Sequence, residues 1–182
     1  MSLQMMKKAV VSVAAGAAMF TAISASAVTF VPATPNNPYT FSGETRLETP
    51  LGDYVCGLSL TGNVSEDPSD STKGTVIVTG GTVSGAFPCG LITLENLPWG
   101  YDGNGTLTST GASVNLTNIG ASAPFNLLDC DGDITVPFIN NSTASSFDLE
   151  GANFGTCTFV GDGTTNQNVL FADPSNNIQV LP

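Results

Sequence analysis

Few residues in this chain could do chemistry, and their spacing narrows what that chemistry would be. Asp129-Cys130-Asp131-Gly132-Asp133 sets three carboxylates at alternate positions, the pattern that opens a calcium-binding loop. A complete loop would carry the sharp-turn glycine next and a bidentate glutamate at its far end, where Ile134 and Asn140 stand instead. Asp129, Asp131 and Asp133 are therefore a weak calcium candidate, and the commoner explanation of such a run is a polar turn with Asp-Gly at its tip. Trp99, the only tryptophan, stands two residues before Tyr101, so the two would share one face of a strand. Such a pair can stack on a sugar ring or sit at an apolar interface, although core packing is the usual fate of a lone tryptophan.

Catalysis finds little to work with. There is no histidine, which removes His-dependent triads and most catalytic zinc sites. Lys73 has Asp70 three residues before it, so the Ser-x-x-Lys nucleophile pattern is missing. Fifteen acids could in principle supply a glycosidase pair, but no spacing brings two together on an interior strand face; Glu95 lies near Trp99 and Tyr101. The expectation is a non-enzymatic protein with no cofactor beyond the weak calcium candidate.

The four cysteines, Cys56, Cys89, Cys130 and Cys157, have a structural use. An even count behind an export signal reads as two disulfides. Three pairings are open. Cys56–Cys89 and Cys130–Cys157 are favoured because each closes a hairpin-like excursion. Zinc is disfavoured, since there is neither a Cys-x-x-Cys pair nor a histidine.

The export signal itself is residues 1–27. Lys7 and Lys8 precede an apolar run from Ala9 to Ile23, and Ser24-Ala25-Ser26-Ala27 supplies small residues at a cleavage site. The run is too short to cross a bilayer comfortably, which takes about 20 residues. Cleavage after Ala27 would leave one domain without a transmembrane span, secreted or extracellular, with the periplasm as the other destination. It would also leave Arg46 and Lys73 as the only bases against all fifteen acids. A surface that acidic repels phosphate backbones and anionic headgroups, so nucleic acid is excluded as a partner.

The elements that position these residues are short strands. Residues 28–38 read as an extended leader and residues 39–182 as a single β domain. In the first strand, residues 39–48, Phe41, Gly43, Thr45 and Leu47 share one face, and Ser42, Glu44 and Arg46 the other. In the second, Cys56, Leu58, Leu60, Gly62 and Val64 alternate onto one face. Residues 65–73 read as a solvated acidic loop, and Gly80-Gly81 as a bulge or bend in the strand 75–84. Residues 91–96 fit a short strand or one helical turn, and Asn104-Gly105 a tight hairpin turn. Residues 106–109 and 112–117 follow as strands, Val114 and Leu116 facing inward, with a bulge or strand end near Asn118. Pro137 marks 134–139 as an edge or bulged strand. Residues 145–149, 156–160, 169–172 and 178–181 complete the set. No sustained helical stripe follows Ala27. The fold class is all-β, a single antiparallel β-sandwich or barrel-like domain of about ten strands stapled by two disulfides.

A family resemblance emerges from the order of these motifs. Phe41-Ser42-Gly43, Cys56, Leu60-Thr61-Gly62-Asn63-Val64, Val83-Ser84-Gly85, Cys89-Gly90-Leu91-Ile92 and Asn96-Leu97-Pro98-Trp99 occur in sequence. The chain resembles the secreted Gram-negative proteins called protein activators of alkane oxidation, of the PraB-like kind. The resemblance implies an exported, non-enzymatic protein that helps cells use hydrocarbons, with a hydrocarbon or apolar interface as its partner and no catalytic residues to carry over. Two other classes fit the residues: a structural cell-surface or matrix subunit that self-associates through strand edges, and a calcium-assisted carbohydrate-binding module resting on Asp129–Asp133 and Trp99.

Overall fold

The structure is a computed structural model and describes residues 28–32, 37–100, 107–108, 112–161 and 167–181. The signal segment 1–27, Asn104-Gly105 and Tyr101 fall outside the described residues. Among the described residues twelve strands run in chain order: β1 (Thr29–Val31), β2 (Tyr39–Thr49), β3 (Gly52–Asp67), β4 (Asp70–Ser84), β5 (Thr93–Glu95), β6 (Ala112–Ala123), β7 (Leu128–Ile139), β8 (Ser146–Asp148), β9 (Asn153–Phe154), β10 (Cys157–Phe159), β11 (Val169–Ala172) and β12 (Gln179–Leu181). The fold is all-β, and the order β4-β3-β2-β11-β8-β7-β6-β5 curls into a nearly closed antiparallel barrel.

Period-two alternation builds the wall. β2 pairs with β3 from Tyr39↔Gly62 to Thr49↔Gly52 without a slip. Phe41, Thr45 and Leu47 of β2, and Cys56, Leu58, Leu60 and Val64 of β3, are buried, while Ser42, Glu44 and Glu48 are exposed. A one-residue slip would turn every one of these side chains to the opposite face, so the pattern fixes the register. The inner faces of β6 and β7 add Val114, Leu116, Ile134, Val136 and Phe138 to one continuous core.

Away from the hairpin tips, bulges interrupt the β3–β4 and β6–β7 ladders once each. Thr79 is the extra residue of β4, beside Gly80-Gly81, where Thr61↔Gly80 gives way to Gly62↔Val78. In β6, Thr117 and Asn118 stand opposite the single residue Asp133. Asn118 takes a left-handed φ of 56°, and its amide donates to the Asp133 carboxylate at 2.7 Å. The strand therefore runs on through Asn118 to Ala123.

Other stretches depart from the sequence expectation. The acidic stretch 65–73 is not an open loop but the tip of the β3–β4 hairpin. Its strands reach Asp67 and Asp70 because carboxylates bond the backbone there. Asp129–Asp133 is not a turn: alternating burial places it inside β7, with Leu128 and Cys130 inward and the aspartates outward. Residues 91–96 combine both readings, a 3-10 turn at Cys89–Leu91 followed by β5.

The sheet path ends at β4 and β5, which face each other across a seam. In one half of the molecule two bridges close it. Val78 and Trp99 exchange backbone bonds at 3.0 and 2.9 Å, and Gly74 and Leu107 do so at 2.9 and 3.1 Å. A separate two-stranded sheet, β1 with β12, lies at that same end of the barrel, where Val28 donates to the Ser71 carbonyl at 2.7 Å.

Candidate functional site

The strand directions collect the turns into two groups. At one end lie the β2–β3 turn, the β4–β5 connection and the β6–β7 turn, together with β9 and the start of β10. At the other lie the β3–β4 tip, the β7–β8 connection and the β1–β12 sheet. The first group is held by covalent bonds. Cys56–Cys89 ties β3 to the β4–β5 connection with Cα atoms 5.6 Å apart, and Cys130–Cys157 ties β7 to β10 at 5.7 Å. At the tip of the β9–β10 turn, Gly155 has φ 63°, and a side chain there would lie 2.7 Å from the Asp131 carbonyl. Only glycine lets that turn close on β7.

This disulfide-held end exposes large apolar side chains. Phe87 is 79% exposed and Phe125 is 91% exposed, and Leu51 of the β2–β3 turn, Val55 near the start of β3 and Leu91 of the 3-10 turn are 40–59% exposed at the same end. Thr93 pairs with Ser122. Followed backward from Thr93 and forward from Ser122, the antiparallel ladder carries Leu91 and Pro124 to the same edge, so the 3-10 turn at Cys89–Leu91 neighbours the turn that bears Phe125. Phe125 has φ 63° and ψ 25°, a left-handed conformation that a bulky residue adopts only against a steric cost. A strained, fully solvated phenylalanine contributes nothing to the core. Exposed apolar clusters of this kind mark contact with another apolar phase or partner.

Beneath this end the barrel interior holds a cavity of about 50 Å³. Its wall is apolar side chains apart from Thr45, whose hydroxyl already donates to the Cys56 carbonyl at 3.2 Å. A second void of about 20 Å³ lies towards the other end, among Phe41, Val64, Val76 and Leu170. An engineered apolar cavity of about 150 Å³ accepts benzene, so neither void can swallow a whole long-chain molecule as a wide β-barrel carrier does.

The residues singled out from sequence are dispersed. Trp99 is 6% exposed, its indole N–H donating to the Glu95 carbonyl at 2.7 Å. Its ring lines the interior cavity, the core packing that is the usual fate of a lone tryptophan. The Glu95 carboxylate accepts a short bond from the Ser122 hydroxyl. Asp129, Asp131 and Asp133 project in a row from the outer face of one extended strand, where alternate residues stand roughly 6–7 Å apart. Among the described residues no three metal-ligating side chains converge.

The opposite end exposes smaller apolar side chains, Val31, Ile139 and Leu181 at 39–47%, but among the described residues no phenylalanine in a turn, and its β3–β4 tip is held by carboxylates. The Asp67 carboxylate accepts from the Ser69 hydroxyl and amide, both at 2.7 Å, and these bonds hold its pKa below the usual range. Asp70 is lowered to about 2, first by its bond to Lys73, then by the Thr72 hydroxyl and amide. Lys73 is raised in turn by Asp70, 2.7 Å away. Asp173 repeats the motif with Ser175 and is lowered for the same reason.

Sequence reasoning missed Phe87 and Phe125. The available signal was a bulky apolar residue inside a turn, in Gly85-Ala86-Phe87-Pro88 and Ala123-Pro124-Phe125-Asn126, where turn chemistry favours Asn, Asp, Ser or Gly.

Comparison with known proteins agrees with the resemblance read from the motifs. A family model described as "Alkane oxidation protein activator PraA/PraB-like" matches residues 3–173, and the chain belongs to that family. No curated protein and no solved structure matches it.

Proposed function

We propose that this member of the alkane-oxidation activator family is an exported, non-enzymatic protein that works at the boundary between hydrocarbon and water. In this reading the disulfide-held end enters the hydrocarbon and the acidic wall and far end stay in water. The observation that carries it is the exposure of Phe125 and Phe87, at 91% and 79%. Removing one phenylalanine side chain from water contributes about 1.5–3 kcal/mol. Two rings therefore supply on the order of 3–6 kcal/mol, with smaller contributions from Leu51, Val55 and Leu91. The family description, which concerns alkane oxidation, supports hydrocarbon as the apolar phase. The disulfides fit the oxidising compartments that export reaches.

The test is the tension of a long-chain alkane against a solution of the oxidised protein, residues 28–182. The expected result is a pronounced drop. A Phe87→Ser, Phe125→Ser double variant, folded as the parent, should need about a hundredfold more protein or above for the same drop, since each ring is worth a factor of about ten or more. A drop no larger than that given by an unrelated acidic protein, or a double variant as active as the parent, would overturn the proposal.

A further inference from the structure

The cavity of about 50 Å³ is not walled evenly. Thirteen of its lining residues are buried; the three that are only half-buried are Val83, Ile92 and Leu94. These three flank the seam between β4 and β5. Further along, the seam is closed by the backbone bridges at Trp99 and Leu107, but none joins residues 79–84 to 93–96. Side chains alone cover that part. A Cβ on Gly81 would lie 2.8 Å from Leu94 Cδ1, so the bare backbone of Gly81 is what lets Leu94 lie across the gap. The cavity thus has a dry wall, no unpaired polar group in its Thr45 or Trp99 lining, and one face closed by movable aliphatic groups.

We infer that the β4–β5 seam admits the methyl end of a linear alkane into the barrel. The inference rests on the hydrocarbon reading for the identity of the ligand. In proportion to the benzene-sized cavity of about 150 Å³, the space takes about two carbons, so the rest of a longer chain would lie outside along the seam. The occupant is a free alkane and not a fatty acid. Glu95 is exposed beside Leu94 at the seam, and the wall offers a carboxylate no donor.

The experiment is methyl-detected NMR of the oxidised protein, residues 28–182, titrated with dissolved ethane and separately with butyrate. Ethane should give saturable shifts at Leu58, Leu94 and Ala121, and none of comparable size at Val76 or Leu170, which line the smaller void. Butyrate should give none. Ala121→Leu, which fills the cavity from β6, should weaken ethane binding at least tenfold; Ala121→Val, a smaller change, should weaken it in the same direction and serves if the leucine does not fold. Unsaturable shifts, equal shifts at Leu170, or ethane binding unaffected by either variant would overturn the inference, and butyrate binding as tightly as ethane would overturn the choice of ligand. The two readings fail separately: ethane binding does not require a fall in interfacial tension, and loss of tension activity in the phenylalanine variant leaves the cavity intact.

Discussion

The two ends of the barrel solve the same problem with different chemistry. Both must hold tight connections between antiparallel strands. At the far end Asp67, Asp70 and Asp173 bond the amides and hydroxyls of Ser69, Thr72 and Ser175, so the turn residues themselves must be polar. At the other end Cys56–Cys89 and Cys130–Cys157 do the holding from behind the turns. Phe87 and Phe125 occupy two of the tips, and neither side chain has to bond its own turn; at the third, Leu51, the Thr49 hydroxyl bonds the Leu51 amide and the Gly52 carbonyl instead. A turn held covalently can present an apolar tip to solvent; a turn held by its own carboxylates cannot.

The most forceful way to break this contrast is to remove the staples. The disulfides close loops of 33 and 27 residues, and loop entropy makes each worth about 3–4 kcal/mol. Cys56→Ser with Cys89→Ser should lower the unfolding free energy by that amount in denaturant titration, and amide exchange should accelerate in residues 85–92 while the β3–β4 tip keeps its protection. Equal loss of protection at both ends would show that the disulfides serve the whole barrel and not the apolar turns.

A smaller change sharpens the contrast. Phe125 holds a left-handed backbone that asparagine tolerates well. Phe125→Asn should raise stability by about 0.5–1 kcal/mol in the same titration while weakening adsorption to alkane. A variant both less stable and equally adsorptive would mean that the ring is a structural group.

The smallest effect lies at the far end and depends on pH. Asp67, Asp70 and Asp173 have depressed pKa values in the folded chain, Asp70 at about 2. Their stabilisation is present above the unfolded carboxylate value near 4 and is lost as pH falls through the folded values. The Ser69 and Thr72 amides should keep their protection from exchange at neutral pH down to about 4 and lose it towards 2. Loss beginning near pH 6 would show that other groups control this end.

The wall was legible from the chain because alternation is a local signal. Phe41 to Leu47 and Cys56 to Val64 face where their period places them, and Gly80-Gly81 and Asn118 mark the two bulges. Legibility failed wherever a residue's role is set by a distant partner. Nothing near Asp129 shows that β6 will lie beside it and extend it into a strand. Nothing near Asp67 shows that Ser69 will turn its carboxylate into a backbone clamp, although Asp-x-Ser/Thr recurs at 67, 70 and 173. Trp99 was assigned to the core or the surface on frequency alone, because its bridge to Val78 spans twenty-one residues. Phe87 and Phe125 are illegible for a different reason: an apolar residue ordinarily belongs to the core, and only the folded chain shows that one points away from it.

The row of Asp129, Asp131 and Asp133 along the outside of β7 has a colloidal consequence. A layer of these molecules with Phe87 and Phe125 in oil would hold the start of that row, Asp129, near the boundary and turn its other end, Asp133, and the acids of the far end toward water. Each droplet would carry a negative coat, and approaching droplets would repel one another. At physiological ionic strength such repulsion decays over about 8 Å. Emulsions formed with this protein should therefore resist coalescence in dilute buffer and cream rapidly in strong brine, the protein still in place on every droplet.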